Sequence, residues 1–445
     1  MFDELLPPHS ASSATLRFSL TRKEDKRGDA EVAEVRGGIG LTSVLLWAWC
    51  ALLFPSHSIS QVRTGADRLF TDEFHLVAGK RIGLVTNHTG LLSNGRHLAD
   101  SLFAHPEVTL AALFGPEHGI RGEVPAGGSV GDGHDPTTGV TVFSLYGKTY
   151  KPTPEMLKGI DVLLFDIQDV GARFYTYIST MSYAMEAAAE NGIPFIVLDR
   201  PNPITGTRVE GPIREDSLRS FVGLHPIPIV HGMTVGELAT MFNEEGWLKS
   251  GVKSDLHVVK MEGWRREMWY DETALRWIPP SPNIRTLETA VVYPGTCLIE
   301  GTNLSEGRGT DRPFEYIGAP YVDGKKWAEE LNSRRLPGVT FQPIRFTPDA
   351  TKSMKHAGEE CGGVFVHVTD RERYEPIITG MTILASAREL FPDDFQWRPG
   401  SIDRLSGVTT LRETIGDGSV IQAIVQTWGE QMQRFLLLRT RHLSY

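Results

Sequence analysis

Glu117 lies between Pro116 and His118 in the stretch Gly115-Pro116-Glu117-His118-Gly119, directly after a run of apolar residues. A carboxyl held by a proline turn at the end of a buried strand loses part of its hydration. That disfavours the charged form and suits a proton donor near neutral pH. Capping a helix or pairing with an arginine are the alternative roles for the same residue. Asp169 and Glu306 are candidates for a second carboxylate. His118 and His231 are candidates for orienting a substrate or tuning a carboxylate. Glu117, Asp169 and His118 therefore form the catalytic set to test. Phe174, Tyr175 and Tyr177 offer ring faces for a sugar, with core packing the alternative for Phe174. Glu117, His118 and His231 have the chemistry of zinc ligands, but no HExxH or paired CxxC spacing accompanies them, so no metal is assigned.

These groups need a scaffold that brings them together. Arg81–Asn87, Val108–Phe114, Asp161–Ile167 and Pro194–Asp199 are short, rich in branched apolar residues and bounded by Gly, Pro or Asn, which predicts buried strands. Helices are predicted at Arg96–Ala104, at Thr153–Lys158 with Pro154 in the first turn, at Thr176–Asn191, and after Thr234, where Thr234-Val235-Gly236-Glu237 matches a capping box. The alternation predicts an α/β protein with a mostly parallel sheet, and ligands bind such sheets at the carboxyl ends of the strands. Every predicted strand is followed by a polar, Gly- or Pro-shaped loop. These loops carry Asn87, Gln168, Arg173, Tyr175, Arg200 and Asn202 as candidate binding groups, with His231 further on.

Residues 61–286 are expected to form a Rossmann-like catalytic domain and 287–445 a smaller α/β domain, with the site in the cleft between them. Asn283 lies just before the junction, and the second part adds Asn303, Glu306 and Arg308 from a glycine-rich loop. In it, Gly363–Thr369 reads as a strand, and Tyr374–Leu390 and Ser419–Leu436 read as helices.

Several function classes are excluded. The first strand is not followed by GxGxxG, and there is neither a Walker loop nor a GxSxG elbow. The 445 residues carry 45 Lys+Arg against 55 Asp+Glu, a formal charge of −10, with no long basic run, which argues against a duplex nucleic-acid partner. Residues 1–60 read as a leader: Gly37 to Val62 holds no charged residue, and the apolar run Ile39–Phe54 follows Arg36 and precedes Ser56, Ser58 and Ser60. That is the anatomy of an export signal, with an uncleaved membrane anchor as the alternative. An exported protein, periplasmic or extracellular, is expected. Cys297 and Cys361 read as buried thiols, with pairing the alternative.

The segments GPEHG (115–119), DIQDVGARFYTY (166–177), LDRPNPITG (198–206), HGMTVGELA (231–239), PPSPN (279–283) and EGTNLSEGRGT (300–310) together resemble the NamZ-type exo-β-N-acetylmuramidase family of peptidoglycan-degrading glycosidases. The resemblance runs from about residue 80 to the end. It implies an exported enzyme with a Rossmann-like domain, a smaller C-terminal domain and an active site in the cleft between them. It also implies release of N-acetylmuramic acid from non-reducing glycan ends without a cofactor, and Glu117 as the catalytic acid. A non-catalytic cell-wall or sugar-binding protein is the alternative from another class.

Overall fold

The structure is a computed structural model that describes residues 61–122, 131–415 and 418–445. The leader expectation for residues 1–60 lies outside them. The larger sheet contains β1 (Arg81–Thr86), β2 (Thr109–Gly115), β3 (Gly133–His134), β4 (Thr141–Ser144), β5 (Val162–Asp166), β6 (Phe195–Leu198) and β7 (Leu256–Val259). Their order is β3-β4-β2-β1-β5-β6-β7, parallel throughout except for the short edge strand β3. Each of the four strands read from the sequence of the first domain is present, and the four lie side by side as β2-β1-β5-β6.

Those strands read as continuous apolar runs because both of their faces are buried. Leu163 and Phe165 of β5 join one apolar cluster, while Val162 and Leu164 join the other. Helices Tyr177–Glu190 and Val235–Glu244 cover the first face, and Gly65–Thr71 and Leu98–Phe103 cover the second. The capping box forms as predicted: the Glu237 amide donates to Thr234 Oγ1 at 3.2 Å, and the Thr234 amide donates to Glu237 Oε2 at 3.1 Å.

The smaller sheet is antiparallel, in the order β8 (Tyr316–Ala319), β10 (Cys361–Val368), β9 (Val339–Phe346). The apolar cluster on the first face of the large sheet continues into this region through Trp327, Leu331, Ile383 and Phe435. Helices Leu287–Thr296 and Pro376–Leu390 touch backbone to backbone: a Cβ on Gly295 would lie 1.9 Å from the Pro376 carbonyl oxygen. Only glycine permits that approach, and it fixes the helix that carries Tyr293.

Two helix expectations need correction. Residues 153–158 form turns rather than a helix, because Gly159, at φ +81°, ends the segment after a single turn. The helix expected over 419–436 is two, Gly418–Thr427 and Gly429–Thr440, broken at Trp428-Gly429. Cys297 and Cys361 are separate buried thiols.

Candidate active site

The loop after β2 is a tight turn in which the Gly119 amide donates to the Pro116 carbonyl at 3.0 Å. His118 and Gly119 both take φ of +74°. For a buried histidine this left-handed backbone is uncommon, and such strain persists only where surrounding structure holds it. The turn presents Glu117 to a cavity of about 210 Å³. Tyr146, beyond β4, hydrogen-bonds to Glu117; burial first, then the Glu117 charge and that bond, push the Tyr146 phenol well above its usual range.

The loop after β5 supplies the floor. Phe174, Tyr175 and Tyr177 line the cavity with Tyr293 and Phe314 from the C-terminal half. The rings meet edge to face: Tyr175–Tyr177 at 4.9 Å, Phe174–Tyr293 at 5.3 Å and Tyr293–Phe314 at 4.7 Å. That is the favoured aromatic geometry, and it makes a rigid apolar cradle. Ser281, Asn283, Glu300 and Arg308 complete the wall, so both halves of the chain contribute.

Of the three arginines singled out from sequence, Arg308 alone reaches this cavity. Its guanidinium lies 5.0 Å from the Phe314 ring centroid and pairs with Glu300 at 2.6 Å and Glu306 at 3.3 Å. The flanking glycine Gly307, at φ +75°, leaves no room for a side chain, since a Cβ there would sit 2.6 Å from the Tyr316 carbonyl oxygen. Arg173 is fully buried and donates to the carbonyls of Pro212, Ile227, Leu405 and Ser406 at 2.7–2.9 Å. Arg200 is consumed by a buried bidentate pair with Asp166 at 2.6 and 2.9 Å. It borders a second cavity of about 170 Å³ with Thr89 and Gln168. The strand-end loops therefore share one sheet edge but serve two cavities.

The other candidates divide in the same way. His118 and Asn283 line the main cavity; Asp169, His231, Asn202, Asn303 and Glu306 do not. Asp169 Oδ2 accepts from the Gly171 amide at 2.8 Å and lies 3.8 Å from His231 Nε2. It remains within electrostatic reach of Tyr175 and Tyr177. Asn87 accepts from Thr89 through its amide and hydroxyl, Asn202 donates to the Met233 carbonyl, and Asn303 ties together Tyr321, Gln396 and Asp394. Burial disfavours charge on Glu306, but Lys355 at 2.9 Å and Arg308 outweigh it and hold this carboxyl below its ordinary value. The second carboxylate in the cavity wall is Glu300, which sequence reasoning missed although it opens the same motif as Arg308. Among the described residues, no group of three or more His, Cys, Asp or Glu is placed to hold a metal ion.

Taken together, the cavity wall brings a carboxyl, Glu117, and a guanidinium, Arg308, to the edge of an aromatic cradle. The family model described as exo-beta-N-acetylmuramidase NamZ, N-terminal, matches residues 82–288, and its C-terminal counterpart matches 291–445. The peptidoglycan beta-N-acetylmuramidase NamZ of Bacillus subtilis (strain 168) is 51% identical over 386 residues, which is 86% of this chain and 92% of the relative. Crystal structures of two DUF1343 family proteins from Bacteroides fragilis NCTC 9343 align with TM-scores of 0.79 and 0.72 at 41% and 34% identity. They cover 86% and 87% of this chain and 99% of each neighbour. With both family models matched in order across the α/β fold and its cavity, the chain belongs to the NamZ family of exo-β-N-acetylmuramidases, which are glycoside hydrolases.

Proposed function

We propose that this enzyme releases N-acetylmuramic acid from the non-reducing ends of peptidoglycan fragments, with Glu117 protonating the departing glycosidic oxygen. The observation that carries this reading is the placement of Glu117. A strained turn holds it at the rim of an aromatic cavity, bonded to Tyr146, in a wall shared with the Arg308–Glu300 pair. The terminal sugar occupies the cradle of Tyr175, Tyr177 and Tyr293. Protonation by a positioned acid lowers the barrier to C–O cleavage, and the cradle limits competing solvation of that acid.

Muramic acid differs from glucosamine by a lactyl ether whose carboxylate is ionised at neutral pH. Arg308 is the cation in the cavity wall able to meet it. A guanidinium fork binds a carboxylate through two parallel hydrogen bonds, which a lysine cannot reproduce. Asp169 and His231 act behind the wall by positioning the loop that carries Tyr175. The substrate is an extracytoplasmic polymer, and the uncharged apolar stretch 37–62 fits export, so we place the enzyme outside the cytoplasm.

The test is turnover on the disaccharide N-acetylmuramyl-β-1,4-N-acetylglucosamine, with release of N-acetylmuramic acid followed by mass. Release that is lost in Glu117→Gln supports the reading. Saturable binding without release would make the chain a sugar-binding relative of an enzyme.

A further inference from the structure

The cavity is closed where its lining is buried and opens where it is half-buried, at Tyr146 and Phe221 and also at Asn283, Glu300 and Arg308. At the closed end Phe174, Tyr175, Tyr177 and Tyr293 are each at most 9% exposed. Towards the mouth Tyr146 and Phe221 are half-buried, and beyond them Tyr150 is 40% exposed. Four rings meet there. Tyr150 lies 4.4 Å from Phe221 at a tilt of 39°, and Tyr146 lies 5.8 Å from Tyr150 and 6.4 Å from Phe221. Tyr183, from the helix Tyr177–Glu190, stacks on Phe221 at 6.1 Å with 5° between the planes.

The loop presenting Tyr146 and Tyr150 is fastened on both sides. The Tyr146 amide donates to Ser144 Oγ at 3.2 Å, and Lys151 reaches Glu190 at 2.7 Å and Glu186 at 3.4 Å. These rings are thus held at the surface rather than packed away. A contiguous, partly exposed aromatic patch beside a cavity is the kind of surface a ligand can cover.

Two facts fix which ligand. First, an acid that protonates the glycosidic oxygen stands on the leaving-group side of the bond, and Tyr146, the inner ring of the ledge, is bonded to Glu117. Second, an exo-acting enzyme that seats a terminal sugar at a closed end must let the rest of the glycan leave through the mouth. From this geometry we infer that the ledge of Tyr146, Phe221 and Tyr150 is the subsite for the leaving sugar, an N-acetylhexosamine whose apolar C–H face lies on the rings while phenol hydroxyls meet its edge. This inference rests on the muramidase reading above and adds a site to it.

The experiment compares wild type, Tyr150→Ala and Tyr150→Phe on two substrates. One is the disaccharide; the other is trifluoroethyl β-N-acetylmuramide, whose aglycone is too small to cover a ring. Tyr150→Ala should lose about tenfold in kcat/KM on the disaccharide and stay within about twofold on the trifluoroethyl muramide, as expected for removal of one stacking face. Tyr150→Phe should retain most of the disaccharide activity, because it keeps the ring. Equal losses on both substrates, or no loss on the disaccharide, would overturn the subsite. Failure of wild type to release muramic acid from either substrate would remove the hydrolase reading, and the subsite with it.

Discussion

Replacing Arg308 by Met should change which sugar the enzyme accepts rather than whether it folds. The guanidinium pairs with Glu300 and Glu306, so removing it leaves two carboxylates with one cation fewer. Glu306 is the buried one, and it keeps its ion pair with Lys355 at 2.9 Å. Glu300 is 30% exposed and can be satisfied by water. Methionine also fills much of the arginine stem's volume against Phe314, so a collapse of the cavity is not expected. What is lost, on the proposed reading, is the fork for the lactyl carboxylate. Hydrogen bonds to charged groups contribute about 1.5–3 kcal/mol, which is roughly 10- to 150-fold in kcat/KM on an aryl β-N-acetylmuramide. Sharing of Arg308 with Glu300 points to the lower part of that range. The matching N-acetylglucosaminide, which has no lactyl group, should change little, and Arg308→Lys should fall between the two. Parallel kinetics on both substrates read the ratio directly. If muramide and glucosaminide rates fall together, or if neither falls, Arg308 does not read the lactyl group.

Other consequences concern the scaffold. Arg200→Met strands the Asp166 carboxylate in the core, and breaking a buried pair from one side costs about 3–5 kcal/mol; chemical denaturation should show that loss with no change in the muramide-to-glucosaminide ratio. His225 lies 3.8 Å from the Phe242 ring, bonds to Ser182 Oγ at 2.8 Å and is held neutral by burial, its pKa pushed down to about 3. Because the unfolded chain binds this proton near pH 6.5 and the folded one does not, stability is fully present above about 6.5 and declines as pH falls towards 3, by several kcal/mol in all. Melting temperatures across pH 4–7 should slope accordingly, and His225→Gln should flatten that slope. Thr234→Ala removes the cap that opens the helix Val235–Glu244 and should cost about 1 kcal/mol in a denaturant titration, leaving substrate preference intact.

The sequence displays what depends on local pattern. Four central strands were legible because burial on both faces makes each a continuous apolar run, and the box at Thr234 was legible because its two partners are three residues apart. Strand β9 was not, since VTFQPIRF holds Pro343 and its alternation breaks after Phe341, leaving Gln342 and Pro343 both exposed. Among site residues, Glu117 could be singled out by its turn. The fates of Arg173 and Arg200 could not, because carbonyl cages and buried pairs are made by segments far away in the chain, such as Leu405 and Ser406 for Arg173. That Glu300 rather than Glu306 lines the cavity was hidden for a related reason. Both lie in one motif, and Lys355, which draws Glu306 away from the cavity, is remote in sequence. Tyr146 and Phe221 sit in stretches without catalytic spacing, and only the fold brings them to the mouth.

The proposed role of Glu117 is to supply the proton to the leaving oxygen. Its most direct test is the dependence of Glu117→Gln on leaving-group acidity. The amide is near-isosteric with the acid but is not a usable proton donor at neutral pH. General acid catalysis contributes about 10²–10⁴-fold, so turnover of the disaccharide, a poor leaving group, should fall by that factor. A dinitrophenyl muramide, which departs without protonation, should lose far less. Near-wild-type turnover of the disaccharide by Glu117→Gln, or equal losses on both substrates, would contradict the assignment.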